Sequence, residues 1–375
     1  MEPEIEHESA PPVLPSVAAP RPRLDFIDGL RALAALYVVL SHIDLEPTNG
    51  HFQQRWLEFF PAWSSHYAVG VFIVLSGYCL MLPIARRNDR IESHREFFRR
   101  RSLRILPPYY IALAFSILFI VTLGSRQTGS IWDIALPLKL DTILTHLLLI
   151  TDLPLHIQGG AINYPLWSIA VEFQIYLLMP LIVLSLRVAG NTRTLLWTMA
   201  LGLLHFVLHG RLDSMVPWYV GLFTMGAVAA RWCMQRPAKI DPRTAWAAWG
   251  LLTVLVLISL KKGSVFMRGH DYLFDSLVGA VTALLLCTSY RDAGAKVNPL
   301  TRLLSWKPLV EIGVFSYSLY LIHAPLLHLG NLLFTRFLHP SEAMMLVLLL
   351  LFLPVIIGLA KLFHRAFELP FMRRG

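Results

Sequence analysis

Arg31 and His42 stand eleven residues apart in the first strongly apolar stretch, which runs from Gly29 to Ile43. Ionisable side chains inside a membrane segment are costly and mark functional positions by default. Eleven residues make about three turns of α-helix, so the two side chains share a face about 16 Å apart along the axis. One end of such a helix can hold an anion while the other handles a proton. Glu172, in Trp167-Ser168-Ile-Ala-Val-Glu172, lies about 10 Å below the end at which its apolar run begins, and His42 lies about 9 Å from the same face. His323, in Ser316-Tyr317-Ser-Leu-Tyr320-Leu-Ile-His323, comes to a similar level, about 20 Å from the opposite side. A carboxylate beside an imidazole orients the ring, fixes its tautomer and raises its basicity, so Glu172 is expected to partner His42 as a general base. The plainer alternative, in which each polar group pairs with its own helix neighbours, carries more weight for His323 than for the other two. No second ligand accompanies His42 at the i, i+4 spacing of a helical zinc site, and Cys79, Cys233 and Cys287 are isolated in apolar runs. Neither a metal nor a disulfide framework is expected.

Residues 86–104 hold eight arginines and no lysine. A loop that only sets membrane orientation could use lysine equally well, whereas arginine is preferred where planar, bidentate recognition of phosphate is required. Arg101 and Arg104, at i and i+3, share a face at the mouth of the following helix. A basic loop lying against anionic lipid is the competing reading of the charge.

These side chains need elements to hold them. The chain has 375 residues, 55% hydrophobic and 15% charged, with a mean hydropathy of +0.56. Such a composition describes an integral membrane protein with little soluble mass. Runs near the twenty residues that cross the hydrocarbon layer occur at 27–45, 66–85, 104–124, 165–187, 194–209, 214–232, 244–260, 271–290, 309–331 and 342–366. The expected fold is therefore an all-α bundle of about ten transmembrane helices, with 142–151 too short to span and lying along the surface within a loop at 125–164. With the N-terminus cytoplasmic, about three quarters of the Lys and Arg residues fall on the inner side, which favours both termini inside a multi-pass inner (plasma) membrane protein. That bias accounts for the net charge of +9 without nucleic acid. Residues 1–23, acidic and then proline-rich, read as a disordered tail without the features of a cleavable signal. Residues 369–375 read as a short C-terminal tail.

Four segments together resemble the membrane acyltransferase 3 family, which includes O-antigen and exopolysaccharide O-acetyltransferases. They are Leu24-Asp25-Phe26-Ile27-Asp28-Gly29-Leu30-Arg31 followed by His42, Gly70 to Tyr78 with Leu75-Ser76-Gly77, Arg101-Ser-Leu-Arg104-Ile-Leu-Pro107, and Leu166-Trp167-Ser168 through Glu172 to Tyr176. Tyr320-Leu-Ile-His323 agrees too, and the resemblance covers residues 24–368 as one acyltransferase domain. It implies transfer of an acyl group, most often acetyl, from cytoplasmic acyl-CoA to a hydroxyl of a glycan, lipid-linked sugar or similar acceptor. It also implies that His42 is catalytic and that Arg31, Arg101 and Arg104 hold the donor. Asp28, Trp167, Tyr176, Tyr320 and His323 are then substrate-contacting or supporting residues, and Ser41, Ser76 and Ser168 are candidate acyl carriers. Larger family members carry a soluble esterase-like domain. None is expected here, so that helices and the 125–164 segment, with Trp132 and His156, would bind the acceptor. A proton-coupled transporter of an anionic solute is the competing class, with His42, Glu172 and His323 as its relay. The lack of an internal repeat and the unsymmetric Pro180 and Pro325 count against it. A non-catalytic assembly factor would have no need of a buried His–Glu pair.

Overall fold

A computed structural model describes residues 24–48, 65–128, 130–153, 162–208, 215–235, 243–292, 299–335 and 351–372, and every regular element among them is helical. The elements in chain order are α1 (Asp25–Thr48), α2 (Ser65–Ala85), α3 (His94–Thr122), α4 (Leu140–Leu148), α5 (Trp167–Val188), α6 (Gly190–Ala200), α7 (Leu204–Val207), α8 (Tyr219–Gln235), α9 (Arg243–Arg268), α10 (Asp271–Asp292), α11 (Pro299–Leu304), α12 (Lys307–Val314), α13 (Ser316–Thr335), α14 (Leu353–Phe363) and α15 (Leu369–Met372). A π turn, His364–Glu368, joins the last two. The expected tail at 1–23, His156 and residues 342–350 of the run at 342–366 lie outside the described residues.

Among the described residues five helices are long and apolar enough to cross a bilayer, or six if the bent pair α12 and α13 is one span. Several of the expected ten runs are therefore shorter or more broken than their hydropathy implies. The run at 194–209 divides into α6, a 3₁₀ turn and the four residues of α7, while α8 has 17 residues. The run at 309–331 is not one rod, because it bends by 74° between α12 and α13. Beside the bend the backbone of Gly313 packs against the Asp28 carbonyl so closely that a Cβ would overlap it.

The arginine-rich segment is not all loop. Ser93 caps α3 by accepting the Glu96 amide, and the Glu96 carboxylate takes Arg99 at 2.8 Å and Arg100 at 2.6 Å one turn on. A capped start and i, i+3 and i, i+4 ion pairs favour helix where charge density alone suggests loop. Helix α3 therefore begins ten residues before the expected boundary, and Arg101 and Arg104 are helical residues with fixed direction.

Packing is closest where α2 meets α8. Gly77 lies against the Phe223 carbonyl and Gly226 against the Val74 carbonyl, each with no room for a Cβ. In a membrane the hydrophobic effect does little to bring helices together, so such close backbone approach supplies the attraction through van der Waals contact. The short α4 leaves Leu140, Leu144, Leu147 and Leu148 exposed and is pinned to α3 by the Tyr109 and Tyr110 hydroxyls, which donate to the His146 and Leu147 carbonyls. It is an amphipathic surface helix, as its length suggests. Burial at this turn lowers the His146 imidazole and raises the Asp152 carboxyl.

Pro325 deserves a structural reason, since a proline inside a helix leaves the carbonyl four residues earlier without its donor. That carbonyl belongs to Leu321, and the Asn163 side chain donates to it at 3.0 Å while also donating to Ser116 Oγ at 3.0 Å. Tyr320 Oη reaches back to the Pro165 carbonyl at 3.0 Å. These bonds lock the start of α5 against α13 and thereby place His323.

Candidate functional site

Helix α2 carries a stripe at Ser65, Val69, Phe72, Ser76 and Cys79, spaced by three and four residues and therefore on one face. All of them except Ser65 line a cavity of about 330 Å³ that runs between α1, α2, α3, α5 and α13. From Ser65 to Cys79 the stripe covers about 21 Å at 1.5 Å per residue. Its two ends differ in chemistry.

At the Cys79 end stand three arginines. Arg31 donates to Asp28 Oδ1 at 3.1 Å and to Cys79 Sγ at 3.2 Å, which ties α1 to α2. Arg101 and Arg104 line the cavity, half-buried, and enter no salt bridge with a carboxylate among the described residues. Two neighbouring guanidinium groups without a salt bridge within 4 Å can accept an anion with several oxygens, such as a phosphate. Glu172 is on this wall as well, where it accepts the Tyr176 hydroxyl, and Tyr176 in turn meets Ser76 Oγ at 2.6 Å. Glu368 lines the same cavity and takes hydrogen bonds from Ser318 at 2.5 Å and His364 at 2.8 Å.

At the Ser65 end the groups are histidines. His42 is 6% exposed and His323 fully buried, their ring planes parallel to within 2° and their centroids 5.1 Å apart, the two rings meeting edge to edge. His323 Nδ1 lies 2.7 Å from the Tyr320 carbonyl, which only accepts, so this nitrogen carries the hydrogen. In the neutral ring Nε2 is then the acceptor, and His42 Nδ1 donates to it at 2.8 Å. His42 Nε2 is left with its lone pair, 3.1 Å from Ser65 Oγ. The ring of Tyr164 stands edge-on to His42 at 4.9 Å and limits its rotation. Successive donors thus fix the His42 tautomer in the form that can take a proton at Nε2.

The expected pairing of His42 with Glu172 is therefore corrected: the partners of His42 are His323 and Ser65. Depth along a helix fixes the level of a side chain but not the direction it points, and Glu172 turns toward Tyr176 and the arginine wall. A histidine–carboxylate pair does exist, one residue along from Ser65. His66 Nε2 donates to Asp275 Oδ2 at 2.7 Å, the same oxygen accepts Trp218 Nε1 at 2.7 Å, and Asp275 is fully buried. Trp167, expected beside the substrate, stacks on His66 at 5.9 Å rather than lining the cavity. Tyr320 lines the cavity and meets Ser168 Oγ at 2.7 Å, while its carbonyl holds His323. Of the three expected carrier serines, Ser41 bonds to the Val38 carbonyl, Ser76 to Tyr176 and Ser168 to Tyr320, and none of these bonds is to His42. Ser65, His66 and Asp275 escaped the sequence reading because their partners are 23 to 209 residues away. No grouping of three or more His, Cys, Asp or Glu side chains suited to a metal occurs among the described residues.

Apolar spans packed around a cavity with three arginines in its wall define a multi-pass helical membrane protein. Residues 24–364 match the sequence model of the acyltransferase 3 family, described as an acyltransferase domain, and the chain belongs to that family. It is 26% identical over 336 residues to the peptidoglycan O-acetyltransferase OatA of Listeria monocytogenes, an alignment covering 81% of this chain and 49% of the relative. It is 27% identical over 380 residues to the acyltransferase MdmB of Streptomyces mycarofaciens, covering 94% and 92%. The O-acetyltransferase OatA of Staphylococcus aureus is 23% identical over 380 residues, covering 93% and 57%. The chain spans about half the length of the peptidoglycan O-acetyltransferase relatives it matches. No solved structure matches it.

Proposed function

We propose that the protein is a membrane O-acyltransferase that moves an acyl group, acetyl above all, from acyl-CoA to a hydroxyl of a glycan or lipid-linked sugar. The observation that carries this reading is a cavity whose arginine end suits phosphates and whose lining on α2 ends at Val69, one helical turn from Ser65, the hydroxyl bonded to the fixed lone pair of His42. CoA phosphates dock against Arg101 and Arg104, with Arg31 held by Asp28 beside them. The pantetheine arm follows the α2 stripe and delivers the thioester toward His42. His42 Nε2 takes the proton of the attacking hydroxyl, and His323 holds the ring and shares the positive charge that develops. Glu172 and Tyr176 serve the donor end rather than the base. The names of the relatives support acetyl as the group and a cell-wall or other glycan as the acceptor class. The basic end of the cavity suits a donor reached from the cytoplasm, and multi-pass helices suit the inner membrane.

The test uses protein purified in detergent with radiolabelled acetyl-CoA, with and without a soluble N-acetylglucosamine oligomer. Wild type is expected to release CoA and label the saccharide. His42→Ala is expected to bind CoA normally and lose turnover by about 10²- to 10⁴-fold, the range for a positioned general base. Absence of donor consumption by wild type, together with proton-coupled solute uptake by the same protein in vesicles, would overturn the reading in favour of a transporter.

A further inference from the structure

We propose that Ser65 is a catalytic nucleophile that carries the acyl group between donor and acceptor. The inference rests on the acyltransferase reading above and adds a covalent intermediate to it. Two observations support it. Ser65 Oγ, His42 and His323 form a continuous line, 3.1 Å and then 2.8 Å, anchored by the 2.7 Å bond from His323 to the Tyr320 carbonyl. A nucleophile within hydrogen-bond reach of a base, itself oriented by a third group, is the arrangement that activates serine hydroxyls in unrelated enzymes. Here a second neutral histidine occupies the place usually taken by a carboxylate.

The second observation is direction. Ser65 continues the α2 stripe one turn beyond Val69, where the cavity lining ends, so a thioester following the stripe arrives at Ser65 before any other hydroxyl bonded to His42.

In the first step Ser65 Oγ attacks the thioester carbonyl while its proton passes to His42 Nε2. The tetrahedral intermediate collapses, the C–S bond breaks, and the His42 proton goes to the departing CoA sulfur. An ester on Ser65 and a free thiol result, and the His42 lone pair is restored. In the second step the acceptor hydroxyl attacks the ester carbonyl, giving its proton to His42. The bond to Ser65 Oγ then breaks, and the proton returns to Ser65. No metal, oxidant or further reactant is needed.

The full-length protein in detergent is mixed with [¹⁴C]acetyl-CoA and no acceptor, and CoA release and protein-bound label are followed. The expected result is a stoichiometric burst of CoA, label mapping by peptide mass to Ser65, and parallel double-reciprocal lines when the N-acetylglucosamine oligomer is varied. Ser65→Ala is expected to lose the label and at least about a hundredfold in turnover, while binding CoA as tightly as wild type. Ser65→Cys is expected to be labelled again, now as a thioester that hydroxylamine cleaves at neutral pH, a rescue that a packing role would not produce. Label on another residue, intersecting double-reciprocal lines, or Ser65→Ala turnover within threefold of wild type would overturn the nucleophile. In that last case, transfer from acetyl-CoA would still stand. If wild type releases no CoA at all, both the nucleophile and the acyltransferase reading fall.

Discussion

Replacing His323 separates the two candidate partners of His42. His323 is fully buried and supplies the only lone pair bonded to His42 Nδ1 among the described residues. His323→Leu keeps an apolar side chain of similar bulk and removes that acceptor. His42 Nδ1–H is then buried without a partner, which costs about 1–3 kcal/mol. The ring can escape this cost only by moving its hydrogen to Nε2, which abolishes the lone pair facing Ser65. At about 1.4 kcal/mol per tenfold, either outcome lowers turnover by roughly 5- to 150-fold. His323→Gln, whose amide oxygen can reach the place of Nε2, is expected to stay within about fivefold. Glu172→Gln leaves both bonds of His42 intact and is expected to act on the donor KM instead. The assay is steady-state CoA release from acetyl-CoA, with CoA binding measured in parallel as a control for folding. Turnover by His323→Leu within twofold of wild type, or a larger kcat loss in Glu172→Gln, would refute the assignment.

At the donor end, Arg101→Ala and Arg104→Ala are each expected to raise the acetyl-CoA KM by about 10- to 150-fold, the value of a charge-assisted hydrogen bond, with lysine restoring only part of the loss. Arg100, which is exposed and tied to Glu96, is the control, and Arg100→Ala should leave KM within about twofold. Gly77→Ala and Gly226→Ala force a methyl into the facing backbone carbonyl and are expected to abolish folded protein on size-exclusion chromatography. Gly250→Ala, with nothing within 4 Å of the added Cβ, should elute as wild type. Asn163→Leu removes the donor to the Leu321 carbonyl left bare by Pro325, and a lowered thermal midpoint in the same detergent would reveal that loss.

The sequence exposes the features that depend on spacing along one helix. Arg31 and His42 do lie three turns apart on α1, and Arg101 and Arg104 do share the cavity wall one turn apart. Matching depth also finds His323 beside His42. Direction around an axis is what it misses. Glu172 accepts Tyr176 one turn on along its own helix, the plainer alternative of pairing with a helix neighbour, and depth alone does not choose between that and His42. Ser65 begins its helix, where hydropathy has just risen and boundaries are least certain. His66 and Asp275 meet across α2 and α10, a contact between distant segments with no local signature. The bend before Ser316 has no proline at its vertex, and the crowding of Gly313 against Asp28 becomes visible only when α1 is in place.

The α2 stripe also acts as a yardstick. On the proposed donor path its ends would select by length as well as charge, because a molecule would have to present phosphate at one end and thioester at the other across about 21 Å. A truncated thioester such as that of N-acetylcysteamine can reach His42 or the arginines but not both at once. Its use by the enzyme would be slow and indifferent to substitution of Arg101 and Arg104. Under the proposed function full-length CoA would couple the two ends, and its anchoring far from the reacting carbon would be converted into alignment at that carbon.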